Sequence, residues 1–212
     1  MKGEKPILLL LAGVQFCNIM DFMIMMPLGP QMMRIFDISA QQFSLLVGIY
    51  SVAAGVSGFA MVFFADRFDR KRLLLFMYSG FTLGTLACAL APTYWFLVAA
   101  RLFTGIFGGV MSSIVLSIVG DLVPMKRRGE AMGIINVAFS VASIFGVPFG
   151  LFLASIISWH APFLFVVAAC LPMLALIHLK VPQVAGHLGQ GKVSPWQTLR
   201  NIGTNEIGRA HV

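Results

Sequence analysis

Read along its length, the chain alternates long apolar tracts with short polar clusters. Residues 6–33 carry a single charge, Asp21; residues 38–65 carry none; residues 73–120 carry only Arg101; residues 131–179 carry none. A helix that crosses a bilayer needs about 20 mainly apolar residues, so these tracts hold one, one, two and two spans. Backbone groups facing lipid must bond within their own segment, which makes the spans helices. The pattern predicts an all-α integral membrane protein with six transmembrane helices. They fall at about 7–28, 42–65, 73–91, 94–119, 131–157 and 163–179. A short outer loop with Arg34 and Asp37 joins the first two, and Pro92 marks a tight turn after the third.

Composition removes the alternatives. Of 212 residues, 58% are hydrophobic and 11% charged, with a mean hydropathy of +0.89. A soluble domain is nearer a quarter charged, because its surface faces water. Collagen-like, disordered and disulfide-stapled classes are excluded as well. The net charge of +7 is a matter of sidedness. Thirteen of the 15 Lys and Arg lie at the N-terminus, in the loops after spans two and four, or beyond span six; Arg34 alone lies on the other side. That asymmetry predicts both termini in the cytoplasm and no nucleic-acid partner. The basic start and apolar run near the N-terminus are too long for a signal peptide and lack a small-residue cleavage site, so they read as a retained first span. Cys17, Cys88 and Cys170 lie in separate spans with no metal or redox spacing and are expected to be buried thiols.

Beyond Leu179 the chain turns polar. The expected organisation is a six-span unit over 1–180 and the start of a central cytoplasmic loop over 181–205. The last stretch, 206–212 (EIGRAHV), resembles a translated sequencing adapter and is expected to be non-native.

Two charges inside the apolar tracts carry the chemistry. An ionised carboxylate in hydrocarbon costs at least about 2.5–3.5 kcal/mol on insertion scales, so Asp21 needs a partner, water or a proton. Asn18 and Gln15 precede it on one helix face, which suggests either a polar cavity or a structural polar contact. Arg101 lies about seven residues from the outer end of span four, as Asp21 does in span one. At about 1.5 Å per residue both sit roughly 10 Å below the outer boundary, a depth that permits pairing. The other reading of Arg101 is a long side chain snorkelling to the interface. On the cytoplasmic side, Asp66 and Asp69 alternate with Arg67 and Arg70 ahead of Lys71 and Arg72, which suggests an ion-pair network rather than orientation charge alone. Asp121 with Lys126, Arg127, Arg128 and Glu130 repeats the arrangement more loosely. Pro148, between Gly146 and Gly150, is expected to kink span five. Asn136, Ser140 and Ser143 form a polar stripe on that span that could line a cavity. Small residues four apart (Ala54 and Gly58, Gly80 and Gly84, Gly105 and Gly109, Gly146 and Gly150) are expected to let helices pack closely.

These residues resemble the Major Facilitator Superfamily of secondary transporters. The stretch from Ala65 to Arg72 is similar to its signature loop, G-x-L-A-D-R-x-G-R-[RK]-[RK]; Ala65, Asp66, Arg67, Arg70, Lys71 and Arg72 match, while Val62 and Asp69 replace the glycines and Phe64 the leucine. Arg101 to Gly105 resembles the span-four R-L-x-x-G motif, whose arginine is implicated in proton coupling. Gly146, Pro148 and Gly150 resemble the span-five G-P-x-x-G motif of antiporters, with the proline displaced by one. Asp21 with Pro27, Gly29 and Pro30 looks like the span-one acidic motif of drug and sugar efflux members. Trp159, His160 and Phe163 resemble the outer turn W-R-x-x-F.

The resemblance implies one half of the major facilitator fold, a 3+3 inverted repeat, in a family whose full chains run to about 400 residues. It also implies a proton-coupled efflux antiporter for small organic compounds in a bacterial inner membrane. Asp21 and Arg101 would carry coupling, and Asp66, Arg70 and Asp121 would latch the cytoplasmic side. The implied partners are the lipid bilayer, a small-molecule substrate and a missing C-terminal six-helix half; no cofactor is implied, the proton serving as coupling ion. Other classes remain open: a six-span homodimeric carrier, or a non-transporting membrane sensor. An enzyme fits worst, since His160 and His178 stand alone and no nucleophile, phosphate-loop or metal-helix motif is present.

Overall fold

The polar punctuation between the apolar tracts sets the helix boundaries. The computed structural model describes residues 5–64 and 68–182, with the side chains of residues 62–64 excepted. Among the described residues all regular structure is helical. The order is α1 (Lys5–Ile24), α2 (Gly29–Phe36), α3 (Ala40–Phe64), α4 (Arg70–Ala89), α5 (Tyr94–Leu122), α6 (Arg128–Val141), α7 (Val147–Ile156) and α8 (Ala161–Lys180). Thr93 caps α5 by accepting from the Phe96 N–H at 3.3 Å, and Asp69 caps α4 by accepting from the Arg72 N–H at 2.9 Å. Each cap satisfies a backbone donor that the first helical turn leaves unpaired. Pro30 and Pro162 stand in the first turns of α2 and α8, where a missing N–H does no harm.

Six segments are long and apolar enough to cross a membrane: α1, α3, α4, α5, α8, and α6 joined to α7. The chain is therefore an integral membrane protein with the expected six spans. Two local features differ from expectation. The outer loop after span one is the eight-residue helix α2, with Met32 buried and Arg34 exposed; Asp37 ends it in a left-handed conformation at φ 50°. Span five carries more than Pro148 at the expected kink. The helix widens just before it into a π-helical stretch, Ala142–Gly146, which absorbs the broken hydrogen-bond ladder.

The packing interlocks two helix triplets. The first helix of one triplet, α5, packs along α3 and α4, the later members of the other. Conversely, α1 packs along α6, α7 and α8. Glycine makes these crossings close. A side chain on Gly109 would overlap Ala54 of α3, and one on Gly80 would overlap the Phe107 ring. A Cβ on Gly105 would lie 2.6 Å from the Tyr50 carbonyl oxygen, and one on Gly150 would lie 2.5 Å from Ile24 Cδ1. Without side chains, the helix backbones approach and gain dispersion contacts that lipid cannot replace.

Apolar faces remain exposed outside this packing, two of them on α3 and on span five. The outward face of α3 exposes Val52, Val56 and Phe59. It forms with Leu102 and Ile106 of α5 an apolar groove of about 980 Å³, with Gln41 and Ser44 at its outer end. The span made by α6 and α7 exposes Val137, Ile144 and Phe145.

Candidate functional site

The centre of interest lies where α1, α3, α4 and α5 meet. Gln15, Asn18 and Asp21 recur every three residues on α1, a spacing that turns all three toward one side of the helix. Arg101 Nη1 donates to Asp21 Oδ2 at 2.8 Å. Thr85 on α4 donates its hydroxyl to Asp21 Oδ1 at 3.1 Å. The guanidinium carbon of Arg101 stands 4.3 Å from the Tyr50 ring centroid, a cation–π contact made from α3. Tyr50 in turn donates to Asn18 Oδ1 at 3.3 Å, and Asn18 Nδ2 donates to the Gly108 carbonyl at 3.3 Å. One turn nearer the start of α1, Gln15 Nε2 donates to Ser112 Oγ at 2.6 Å. The result is a polar ladder along the α1–α5 seam, with the ion pair at one end.

The pair is sealed. Both the Asp21 and Arg101 side chains are 0% exposed, so they do not line an open polar cavity, and Arg101 does not snorkel. The glycine crossings that draw α3 and α4 onto α5 close the space around them. Gly108 contributes directly, since a side chain there would overlap the Tyr50 hydroxyl. The ion pair is single-pointed rather than forked: Arg101 Nε and Nη2 are buried without a partner. Such an arrangement gains Coulomb attraction in a low-dielectric site but leaves part of the guanidinium's desolvation uncompensated. Adding or removing one proton there changes the electrostatics of four helices at once.

The charged cluster at the start of α4 and the end of α5 is built differently. Arg70 Nε lies 3.4 Å from Asp121 Oδ2, joining the start of α4 to the end of α5. Asp69, expected in an ion-pair network, is the N-cap of α4 instead. Its short carboxylate suits a cap, and at that position it replaces one of the signature loop's glycines. Lys71 and Arg72 make no ion pair among the described residues, and Asp66 and Arg67 lie outside them. Arg127 pairs with Glu130 at 3.5 Å. Arg128 donates to the carbonyls of Gly120 at 2.6 Å and Val123 at 3.2 Å, covering the C-terminal end of α5, where a cation also meets the negative end of the helix dipole.

Gly146 and Gly150 face α1, against Met20, which adjoins Asp21 in the chain, and Ile24, one turn beyond it, while Pro148 points outward. Asn136 is exposed and does not join the Asp21 cluster. The reason is the competing stripe Ala131, Ile135, Ala138 and Ala142, whose burial turns Asn136 and Ser140 away. Ser143 bonds back to the Phe139 carbonyl at 2.8 Å. Cys17, Cys88 and Cys170 are free and buried.

Sequence reasoning passed over Tyr50, Thr85, Gly108 and Ser112. A signal for the first two was available. Counted from the outer ends of their spans, Tyr50 and Thr85 sit about eight and six residues deep, the level assigned to Asp21 and Arg101 by the same count.

Interlocked triplets of membrane-length helices joined by a buried acid–base pair make one six-helix membrane unit. The chain belongs to the Major Facilitator Superfamily, whose family model matches residues 11–207. That membership places it among transporters and not among enzymes. It is 33% identical over 165 residues to the uncharacterized MFS-type transporter YwfA of Bacillus subtilis, covering 76% of this chain and 40% of that protein. It is 41% identical over 118 residues to the vacuolar membrane amino acid uptake transporter fnx2 of Schizosaccharomyces pombe, covering 56% and 20% of the two chains. A probable sugar efflux transporter of Helicobacter pylori is 26% identical over 146 residues, covering 69% and 37%. Among solved structures, a bacterial homolog of the human lysosomal transporter Spinster, inward-facing and occupied, superposes with a TM-score of 0.75 at 21% identity over 87% of this chain and 45% of that one. The inward-open xylose transporter XylE of E. coli gives 0.73 at 17% identity over 96% and 53%. These two likenesses are of fold. The chain thus spans well under half the length of the transporters it matches in sequence.

Proposed function

We propose that the chain forms the N-terminal six-helix half of a proton-coupled transporter that exports small organic compounds. The observation that carries the reading is the sealed Asp21–Arg101 pair at the meeting of four helices. A proton on Asp21 cancels the charge that Arg101 faces, leaving a buried cation without its counter-ion, a change worth several kcal/mol in a low-dielectric site. Helices α1 and α5, one from each triplet, then favour a different arrangement, and substrate movement is tied to the proton. Arg70 and Asp121, together with Asp66, serve as the cytoplasmic latch. A second six-helix half covers the exposed faces of α3 and of α6 with α7. The protein resides in a bacterial inner membrane with both termini cytoplasmic, as the distribution of Lys and Arg supports.

The names of the relatives divide between sugar efflux and amino acid uptake, so sugars and amino acids are the first substrates to try, in both directions. The test is flux into and out of proteoliposomes under an imposed pH gradient, using a protein that carries both halves. Asp21→Asn is expected to abolish coupling while leaving membrane insertion intact; unchanged coupling removes Asp21 from the mechanism. Residues 1–205 alone are expected to give no flux, and robust proton-driven transport by them refutes the half-transporter reading.

A further inference from the structure

Three threonines are buried in the helices around the ion pair, and they behave differently. Thr82 donates its hydroxyl to the Tyr78 carbonyl one turn back, at 2.7 Å. Thr104 does the same to the Ala100 carbonyl at 2.7 Å. That back-bond is the ordinary way for a buried threonine to satisfy its hydroxyl within a helix. Thr85 forgoes it and reaches across from α4 to Asp21 Oδ1 on α1. The reach is possible because α4 lies close to α5 here. Its neighbour Gly84 has no side chain, and a Cβ there would stand 2.5 Å from Thr104 Oγ1.

Each carboxylate oxygen of Asp21 therefore has one donor, Arg101 on Oδ2 and Thr85 on Oδ1. The titratable groups set around the carboxylate are Arg101 on α5, Tyr50 on α3, Cys88 on α4 and Cys17 on its own helix. Of the two donors, the guanidinium is always charged and can only donate. The threonine hydroxyl can do either. It donates to a carboxylate, and it accepts from a carboxylic acid once its own hydrogen has turned to the Phe81 carbonyl, one turn back on α4.

We propose that Thr85 is a positioning residue for the proton on Asp21: its hydroxyl holds the carboxylate in place opposite Arg101 and turns over to receive the O–H when Asp21 is protonated. The proposal rests on the proton-carrying role of Asp21. Oδ1 is the oxygen that takes the proton, because Oδ2 stays committed to Arg101. No covalent bond other than the Asp21 O–H forms or breaks. Thr85 sets the balance between two states of one acid and is not itself a stop on the proton's path.

A hydrophobic carbodiimide reacts with the protonated form of membrane-embedded carboxyls, so labelling of Asp21 reports how much of it is neutral. The purified chain in lipid nanodiscs is labelled across a range of pH, and the adduct on the Asp21 peptide is quantified by mass spectrometry. Thr85→Val keeps the shape and removes both the donor and the acceptor. A hydrogen bond to a charged group is worth enough to change a protonation equilibrium about tenfold. Thr85→Val is therefore expected to raise Asp21 labelling about tenfold at neutral pH, and Thr85→Ser, which keeps the hydroxyl, to restore the parent level. Thermal unfolding of the three proteins is measured alongside, since a merely structural role would move the unfolding temperature and leave the labelling curve in place. Labelling of the Thr85→Val protein equal to the parent at every pH overturns the role of Thr85 while keeping Asp21 as proton carrier. No labelling of Asp21 at any pH in either protein overturns both.

Discussion

Two interhelical ion pairs among the described residues make an instructive comparison. Asp21–Arg101 and Arg70–Asp121 each join α5 to an earlier helix through one carboxylate and one guanidinium. The first is 2.8 Å long with both side chains fully buried. The second is 3.4 Å long, and its aspartate side chain is 33% exposed. Water screens the second and competes for its partners, so forming or breaking it costs little. Nothing screens the first, and losing either partner strands the other in a medium that cannot solvate it. The screened Arg70–Asp121 pair suits the proposed latch, which must open and close, and the buried Asp21–Arg101 pair suits the proposed coupling site, whose charge state must be felt by distant helices. The chain places the weak pair at the membrane surface and the strong one between helices.

That contrast can be broken most directly at Arg101. Arg101→Leu is expected to destabilise the protein by about 3–5 kcal/mol, read as a loss of thermal stability in detergent. Replacing both residues, Asp21→Leu with Arg101→Leu, is expected to recover most of that loss; a double variant as unstable as the single one would mean the pair is not behaving as a buried ion pair. Next in size is the glycine crossing that closes α3 onto α5. Gly109→Ala is expected to cost about 1–3 kcal/mol through overpacking against Ala54. Gly133→Ala, where no atom lies within 4 Å of the added group, should be neutral or slightly stabilising. Asp69→Ala removes the α4 cap and is expected to cost about 1 kcal/mol. Asp121→Asn has the smallest expected effect on stability, below about 1 kcal/mol. High salt should shrink its effect further while leaving that of Arg101→Leu unchanged.

Much of this was legible in the sequence because hydrocarbon is an intolerant solvent. The six spans follow from where charges are missing, and Asp21 and Arg101 stand out because they are charges in those gaps. Their equal depth could be counted from the chain. Tyr50 and Thr85 escaped because neutral polar residues barely disturb a hydropathy pattern, although the same depth count reaches them. The short helix α2 was hidden by its length, eight residues between two turn signals. The proline in span five was visible, but its π-helical accommodation depends on how far neighbouring helices let the backbone widen. The sealing of the pair was least accessible. It comes from Gly84, Gly105 and Gly108 meeting partners on other helices, and no linear spacing states which helices those are. Asn136 illustrates the same point, since two stripes on one helix competed and the small apolar one was buried.

The interlocked triplets have a consequence for how the protein is made. Asp21 belongs to the first helix of one triplet and Arg101 to the first helix of the other, 80 residues later. A chain synthesised from its N-terminus inserts α1 with its aspartate before the arginine has been translated. The same helix must also wait for α6, α7 and α8, against which it packs. Of the six spans, α1 thus enters the bilayer ahead of the partners that complete its packing. Its acid spends that interval without the guanidinium that it holds in the finished protein.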